Sequence, residues 1–143
     1  MDTSAHLLKI EHIGIAVEDL AQAESIYAKL LGCDPYKREA VEREGVLTSF
    51  FKSGPNKIEL LEASTPESPI AKFIAKKGPG IHHIAFHVED IRAEMARLSE
   101  LGFKVLNEEP KRGADNKWVA FLHPKSTEGV LIELCQEISD KEA

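Results

Sequence analysis

Cysteine is scarce: Cys33 and Cys135 are the two thiols in 143 residues. They stand in different contexts, which excludes a disulfide framework, and neither sits beside a base that would make it a nucleophile. Excess positive charge is also missing. With 18 Lys and Arg against 24 Asp and Glu, the formal net charge is −6. A general surface for nucleic acid or an anionic membrane is therefore not expected, although a local basic patch for a small anion is compatible with that balance. No apolar run approaches the roughly 20 residues of a transmembrane helix, and no long apolar region of a secretory signal opens the chain. These absences lead to the expectation of a cytoplasmic protein. What is present is apolar material for a core, 43% of the residues, in a length that suits one compact domain.

The chain repeats itself. Lys9-Ile10-Glu11-His12-Ile13-Gly14-Ile15-Ala16-Val17-Glu18-Asp19 is echoed by Gly80-Ile81-His82-His83-Ile84-Ala85-Phe86-His87-Val88-Glu89-Asp90, with His12 matching His83 (83 − 12 = 71). Ile58-Glu59-Leu60 is echoed by Ile132-Glu133-Leu134 (133 − 59 = 74). A period of about half the chain means one structural module used twice. Alternation predicts a strand over 9–17, and Asp19 caps a helix that carries Leu20, Ala23, Ile26, Tyr27, Leu30 and Leu31 at helical spacing and stops at Gly32. Strands follow near 35–42, 46–52 and 57–62, the last two joined by Ser53-Gly54-Pro55-Asn56. The second half gives a strand over 82–88, a helix from Asp90 to Gly102, and strands near 103–108, 117–122 and 129–135. Between the halves, Ser68-Pro69 opens a short helix that ends at Gly78. The fold class is α+β, with two tandem βαβββ modules, at about 9–64 and 80–136, within a single domain spanning 1–143.

In each half the first strand carries a large apolar face and a face of His plus small residues: His12-x-Gly14-x-Ala16 and His83-x-Ala85. Small residues beside a histidine leave room for something other than core. Glu59 and Glu133 alternate with Ile and Leu, and each is expected on the side of its module's histidine. A histidine in a strand is ordinarily structural, and a glutamate between apolar neighbours ordinarily marks the wet face of an amphipathic strand. Matched recurrence of both types is what the wet-face account does not provide. Buried carboxylates are costly unless paired, and a divalent ion removes that cost. A mixed imidazole and carboxylate set suits Zn, Co, Ni, Mn or Fe(II). His12, Glu59, His83 and Glu133 are thus the expected metal ligands. His82 falls off that face, and His87, four residues beyond His83 on the same face, lies about 13 Å further along the strand by the pleat rise.

The segments Ile10-x-His12-Ile13-Gly14-Ile15-Ala16-Val17, Lys57-Ile58-Glu59-Leu60-Leu61 and Ser68-Pro69-Ile70-Ala71-Lys72-Phe73 carry a resemblance. So do Gly80-Ile81-His82-His83-Ile84, Gly113, and Phe121-Leu122-His123-Pro124-Lys125-Ser126-x-x-Gly129-Val130-Leu131-Ile132-Glu133-Leu134. Over about 9–136 the chain resembles the vicinal oxygen chelate superfamily, and within it the methylmalonyl-CoA epimerase family. The resemblance implies a cupped mixed sheet and a homodimer. It also implies a divalent ion at His12, Glu59, His83 and Glu133 (cobalt, with zinc, nickel or manganese as alternatives), the Glu59 position being Gln in some members. The implied activity is interconversion of (R)- and (S)-methylmalonyl-CoA by α-proton exchange through a metal-stabilised enolate, with Glu133 as one acid/base. One position departs from the pattern: some bacterial members carry a second catalytic carboxylate three residues after the glycine matching Gly45, and here Thr48 stands there. The opposite-face base is then Glu44, another pocket group or a water.

A CoA thioester needs cations for its phosphates, and Lys111, Arg112, Lys117 and Lys125 cluster around the last strands. Thr48, Lys111, Arg112 and Lys125 are the candidate substrate-binding residues. The alternatives are a glyoxalase I-type lyase acting on a glutathione hemithioacetal and a non-enzymatic small-molecule-binding member of the superfamily. The lyase shares the ligand set but usually carries an Asp-Pro-Asp-Gly type signature where this chain has His123-Pro124-Lys125-Ser126. A ring-cleaving Fe(II) dioxygenase would be longer and use three ligands.

Overall fold

The computed structural model describes residues 6–139. They separate into two compact units: residues 12–82, and residues 6–11 with 83–139. The first unit follows the order β1 (Lys9–Ala16, entering the unit at His12), α1 (Leu20–Leu31), β2 (Lys37–Val41), β3 (Val46–Ser53), β4 (Asn56–Ala63) and α2 (Pro69–Lys77). Its strands lie in the order β2-β3-β4-β1, with β1 parallel to β4 and the other neighbours antiparallel.

Local chemistry sets the helices. Asp19 Oδ1 accepts the Gln22 N–H at 3.0 Å, and Glu62 Oε1 accepts the Leu20 N–H at 2.7 Å, so two of the orphan donors at the start of α1 are satisfied. Gly32 closes α1 in the left-handed region, φ 73°, its N–H on the Ala28 carbonyl. Ser68 Oγ accepts the Ile70 N–H at 3.1 Å, and Pro69 opens α2. Val17, Leu20 and Ala23 pack with Phe51 and Leu60 on one face of the sheet. Ile26 and Leu30, expected in the buried stripe, are instead 55% and 71% exposed. The helix meets the sheet along Leu20, Ala23, Tyr27 and Leu31, and Ile26 and Leu30 lie to one side of that row. α2 takes part of the other face, with Ile70, Phe73 and Ile74 on Ala16, Val46 and Leu61.

The second unit repeats the plan with β5 (Gly80–His87, entering at His83), α3 (Ile91–Glu100), β6 (Lys111–Gly113), β7 (Lys117–Leu122) and β8 (Ile132–Glu137). Strand order is β5-β8-β7-β6, with β5 parallel to β8. Asp90 Oδ1 caps α3 through the Ala93 N–H at 3.1 Å, and Gln136 Oε1 accepts the Ile91 N–H at 2.8 Å, in the role Glu62 plays for α1. Ile91, Met95 and Leu98 of α3 pack on Val88, Ala120, Leu122 and Leu134. Each unit thus realises the βαβββ order.

Two strands differ from expectation. The stretch near 103–108 forms no ladder beyond the single Val105–Leu122 bridge. Asn107 Oδ1 takes the Phe121 N–H at 2.8 Å in place of a backbone acceptor, and Pro110 offers no N–H to continue pairing. The strand beside β7 is β6 instead. β8 starts at Ile132 rather than 129, because Glu128 and Gly129 take positive φ (58° and 93°) and Thr127 Oγ1 donates to the Val130 carbonyl. Neither Cys33, which is exposed, nor Cys135, which is buried, forms a disulfide. Among the described residues, no helix is long and apolar enough to cross a membrane.

Candidate metal centre and active site

In the first unit, His12 and Glu59 come together on the sheet face that α1 does not cover. Strand register explains how. Gly14 of β1 is directly beside Glu59 of β4, and His12 is two residues back on the same face. With no side chain at Gly14, the Glu59 carboxylate can lean diagonally to the imidazole. His12 Nδ1 and Glu59 Oε2 are 3.0 Å apart, with side chains 4% and 7% exposed. On its other flank Glu59 is directly opposite Phe50 of β3, which is fully buried.

The second unit builds the same arrangement from the same kinds of residues. Ala85 of β5 is directly beside Glu133 of β8, and Phe121 of β7 is opposite it on the other flank. His83 Nε2 lies 3.3 Å from Glu133 Oε1, both side chains being nearly inaccessible. The Phe121 ring meets the His83 ring edge-on, with centroids 6.3 Å apart. Each unit therefore holds a buried imidazole–carboxylate pair between a small residue and a phenylalanine. Carboxylates so buried are costly unless ion-paired or coordinated. A nitrogen and an oxygen donor in contact, walled from water, are chemically suited to a borderline divalent ion.

The other candidates divide by face. Thr48 of β3 is on the face of Glu59 and is 1% exposed, with Leu61 on one flank and Glu39 on the other. Lys111 of β6 shares the face of Glu133, its Nζ 5.9 Å from the Phe121 ring centroid. Arg112, next in sequence, turns to the opposite face, over the Trp118 ring at 5.6 Å. Lys117 is buried, its Nζ 3.7 Å from Glu137. Lys125 is exposed in the 3-10 turn Pro124–Thr127, where its N–H donates to His123 Nδ1 at 3.0 Å. Gly113 allows β6 to lie close: a Cβ there would meet Val119 Cγ1 at 2.8 Å. His82 packs edge-on against Phe73 at 5.1 Å, and burial holds its imidazole below the ordinary histidine value.

Sequence reasoning missed the phenylalanines. Phe50 and Phe121 are separated by the same 71 residues as the histidines (121 − 50 = 71), but two aromatic residues in apolar strands read as ordinary core.

The model for the glyoxalase/bleomycin resistance protein/dioxygenase superfamily matches residues 11–121. The chain belongs to this superfamily. An ethylmalonyl-CoA/methylmalonyl-CoA epimerase of Cereibacter sphaeroides is 44% identical, covering 90% of this chain and 97% of the relative. The crystal structure of methylmalonyl-CoA epimerase from Mycobacterium tuberculosis matches with TM-score 0.91 and 33% identity, covering 99% of this chain and 95% of the other. A point variant of the Streptomyces coelicolor methylmalonyl-CoA epimerase, in complex with 2-nitronate-propionyl-CoA, matches with TM-score 0.89 and 37% identity, covering 93% and 99%. The fold is glyoxalase-like, as in those epimerase structures.

Proposed function

We infer that this chain is an epimerase that interconverts (R)- and (S)-methylmalonyl-CoA. The observation that carries the reading is the duplicated, buried His–Glu pair, His12–Glu59 and His83–Glu133, in a chain similar along almost its whole length to proteins of that activity.

Two donors are half of an ordinary four-ligand set. The proposal is that both pairs serve a single divalent ion, cobalt first, with zinc, nickel and manganese as alternatives. When bound, that ion supplies Lewis-acid stabilisation of the negative charge that grows on the thioester oxygen during α-proton loss.

The rest of the chemistry belongs to the side chains. Glu133 is assigned as one acid/base: its carboxylate takes the α-proton from one face and returns it in the reverse direction, a contribution worth typically about 10²–10⁴-fold. Phe50 and Phe121 keep water from one flank of each carboxylate, which strengthens electrostatic interactions there. Lys111, held over Phe121 on the Glu133 face, is proposed to meet an anionic group of the substrate, and Lys125 the CoA phosphates. No thiol is needed, and Cys135 is buried with its Sγ 3.5 Å from the Phe86 carbonyl.

The test is circular dichroism of a single epimer of methylmalonyl-CoA with the metal-loaded protein. Decay of the signal of the thioester supports the reading. A constant signal, with turnover of a glutathione hemithioacetal instead, replaces it with the lyase.

A further inference from the structure

Inverting a stereocentre by proton transfer requires exchange on both faces of the α-carbon, and Glu133 accounts for one. Thr48, with no proton-accepting carboxylate, does not supply the other. The face of the first unit that carries His12 and Glu59 can be read strand by strand. β1 contributes His12, Gly14 and Ala16; β4 contributes Lys57, Glu59 and Leu61; β3 contributes Val46, Thr48 and Phe50; β2 contributes Lys37, Glu39 and Val41. Two carboxylates stand there among the described residues of these strands, Glu59 and Glu39. Glu59 is against His12. Glu62 points to the other face and caps α1.

We propose that Glu39 is the second proton-transfer residue, acting on the α-carbon face that Glu133 does not serve. The role rests on the epimerase reading. Glu39 is directly opposite Thr48 across the β2–β3 ladder. Directly opposite residues have Cβ atoms about 4.5–5.5 Å apart, so a carboxylate on β2 can work beside the position where the threonine stands. Lys37, two residues away on the same face, orients it. Lys37 Nζ is 3.3 Å from Glu39 Oε1 and lies over the Phe50 ring at 5.6 Å, the ring that stands opposite Glu59. Both of these contacts of Lys37 lie on the sheet face that carries Glu59. At 32% exposure, the Glu39 side chain reaches solvent, from which its proton can be replaced. Glu44 is less well placed. It sits in the 3-10 turn Glu42–Glu44, next to Gly45, where an added Cβ would meet Thr65 Oγ1 at 2.9 Å, at the end of the face packed by α2.

The step balances without a further reagent. The α-C–H bond breaks, its proton forms an O–H on Glu133, and the electron pair delocalises into the thioester as the enolate. A protonated Glu39 then gives its proton to the α-carbon from the other side and leaves as the carboxylate. In the reverse direction the two residues exchange roles, and water resets both.

The experiment uses the metal-loaded full chain in deuterium oxide, reading inversion by circular dichroism and α-proton exchange by NMR on the same single epimer of methylmalonyl-CoA. Glu39→Gln should lower inversion on the order of 10²–10⁴-fold, as for loss of a general acid/base. Exchange of the epimer served by Glu133, and metal content, should stay near wild type, and Glu39→Asp should regain part of the inversion. An unchanged ratio of inversion to exchange in Glu39→Gln overturns the proposal, whether both rates fall or neither does. A broken ratio in Glu44→Gln but not in Glu39→Gln assigns the step to Glu44 and overturns it equally. Wild-type protein that exchanges no α-proton overturns the epimerase reading itself, and this role with it.

Discussion

Phe50 stands directly across the β3–β4 ladder from Glu59. In the second unit Phe121 stands in the same way across from Glu133. Each carboxylate therefore has an aromatic wall on one flank and Gly14 or Ala85 on the other, an asymmetry that leaves a single direction in which it can reach its histidine. Phe50 is fully buried, so Phe50→Ala should cost about 3–5 kcal/mol of stability and weaken metal retention. Urea denaturation together with metal analysis checks both. A loss below about 1 kcal/mol would mean that the ring is not packed as described, since full removal of a buried aromatic ordinarily costs several times that.

If both His–Glu pairs serve one ion, neither histidine is dispensable. His12→Ala and His83→Ala should each abolish metal retention after desalting, read by elemental analysis, and Glu59→Gln should weaken it in part. Two ions bound per wild-type chain, or one of two kept by each histidine variant, would show that the pairs act separately.

Lys111 and Arg112 are adjacent in sequence and on opposite faces of β6. Hydrogen bonds to charged groups are worth about 1.5–3 kcal/mol, so Lys111→Ala should raise KM for methylmalonyl-CoA by roughly 10–100-fold. Arg112→Ala should move KM far less. Equal effects in steady-state kinetics would remove the distinction drawn from strand alternation.

A homodimer is proposed on the edge strands: β2 ends the sheet of the first unit and β6 that of the second. Ile26 and Leu30 add apolar surface on α1 that no residue of the first unit buries. Sedimentation equilibrium at micromolar concentration should give twice the 15.8 kDa chain mass. A single species at the chain mass refutes it.

The sequence alone located the helix starts at Asp19, Ser68 and Asp90, because a capping side chain and its amide partner are neighbours in the chain. It also named His12, Glu59, His83 and Glu133, because duplication wrote each pair twice. It misplaced the strand at 103–108, where the apolar residues Phe103 and Val105 pack on the core formed by α3 without a backbone ladder. Glu39 could not be recognised at all. Its significance depends on which residue of β3 it faces, and register across a hairpin is fixed by turn geometry and packing rather than by the composition of either strand. The split between Lys111 and Arg112 was hidden for a related reason, since β6 was not foreseen as a strand.

The duplicated His–Glu site is proposed to remove and return the α-proton of methylmalonyl-CoA. Its most direct test is NMR of one epimer of methylmalonyl-CoA in deuterium oxide with the metal-loaded wild-type protein, beside Glu133→Gln reconstituted to the same metal content. Deuterium is expected at the α-carbon with wild type, and a loss on the order of 10²–10⁴-fold in Glu133→Gln. An α-proton that stays in place with metal-loaded wild type, or exchange that is undiminished in Glu133→Gln, would contradict it.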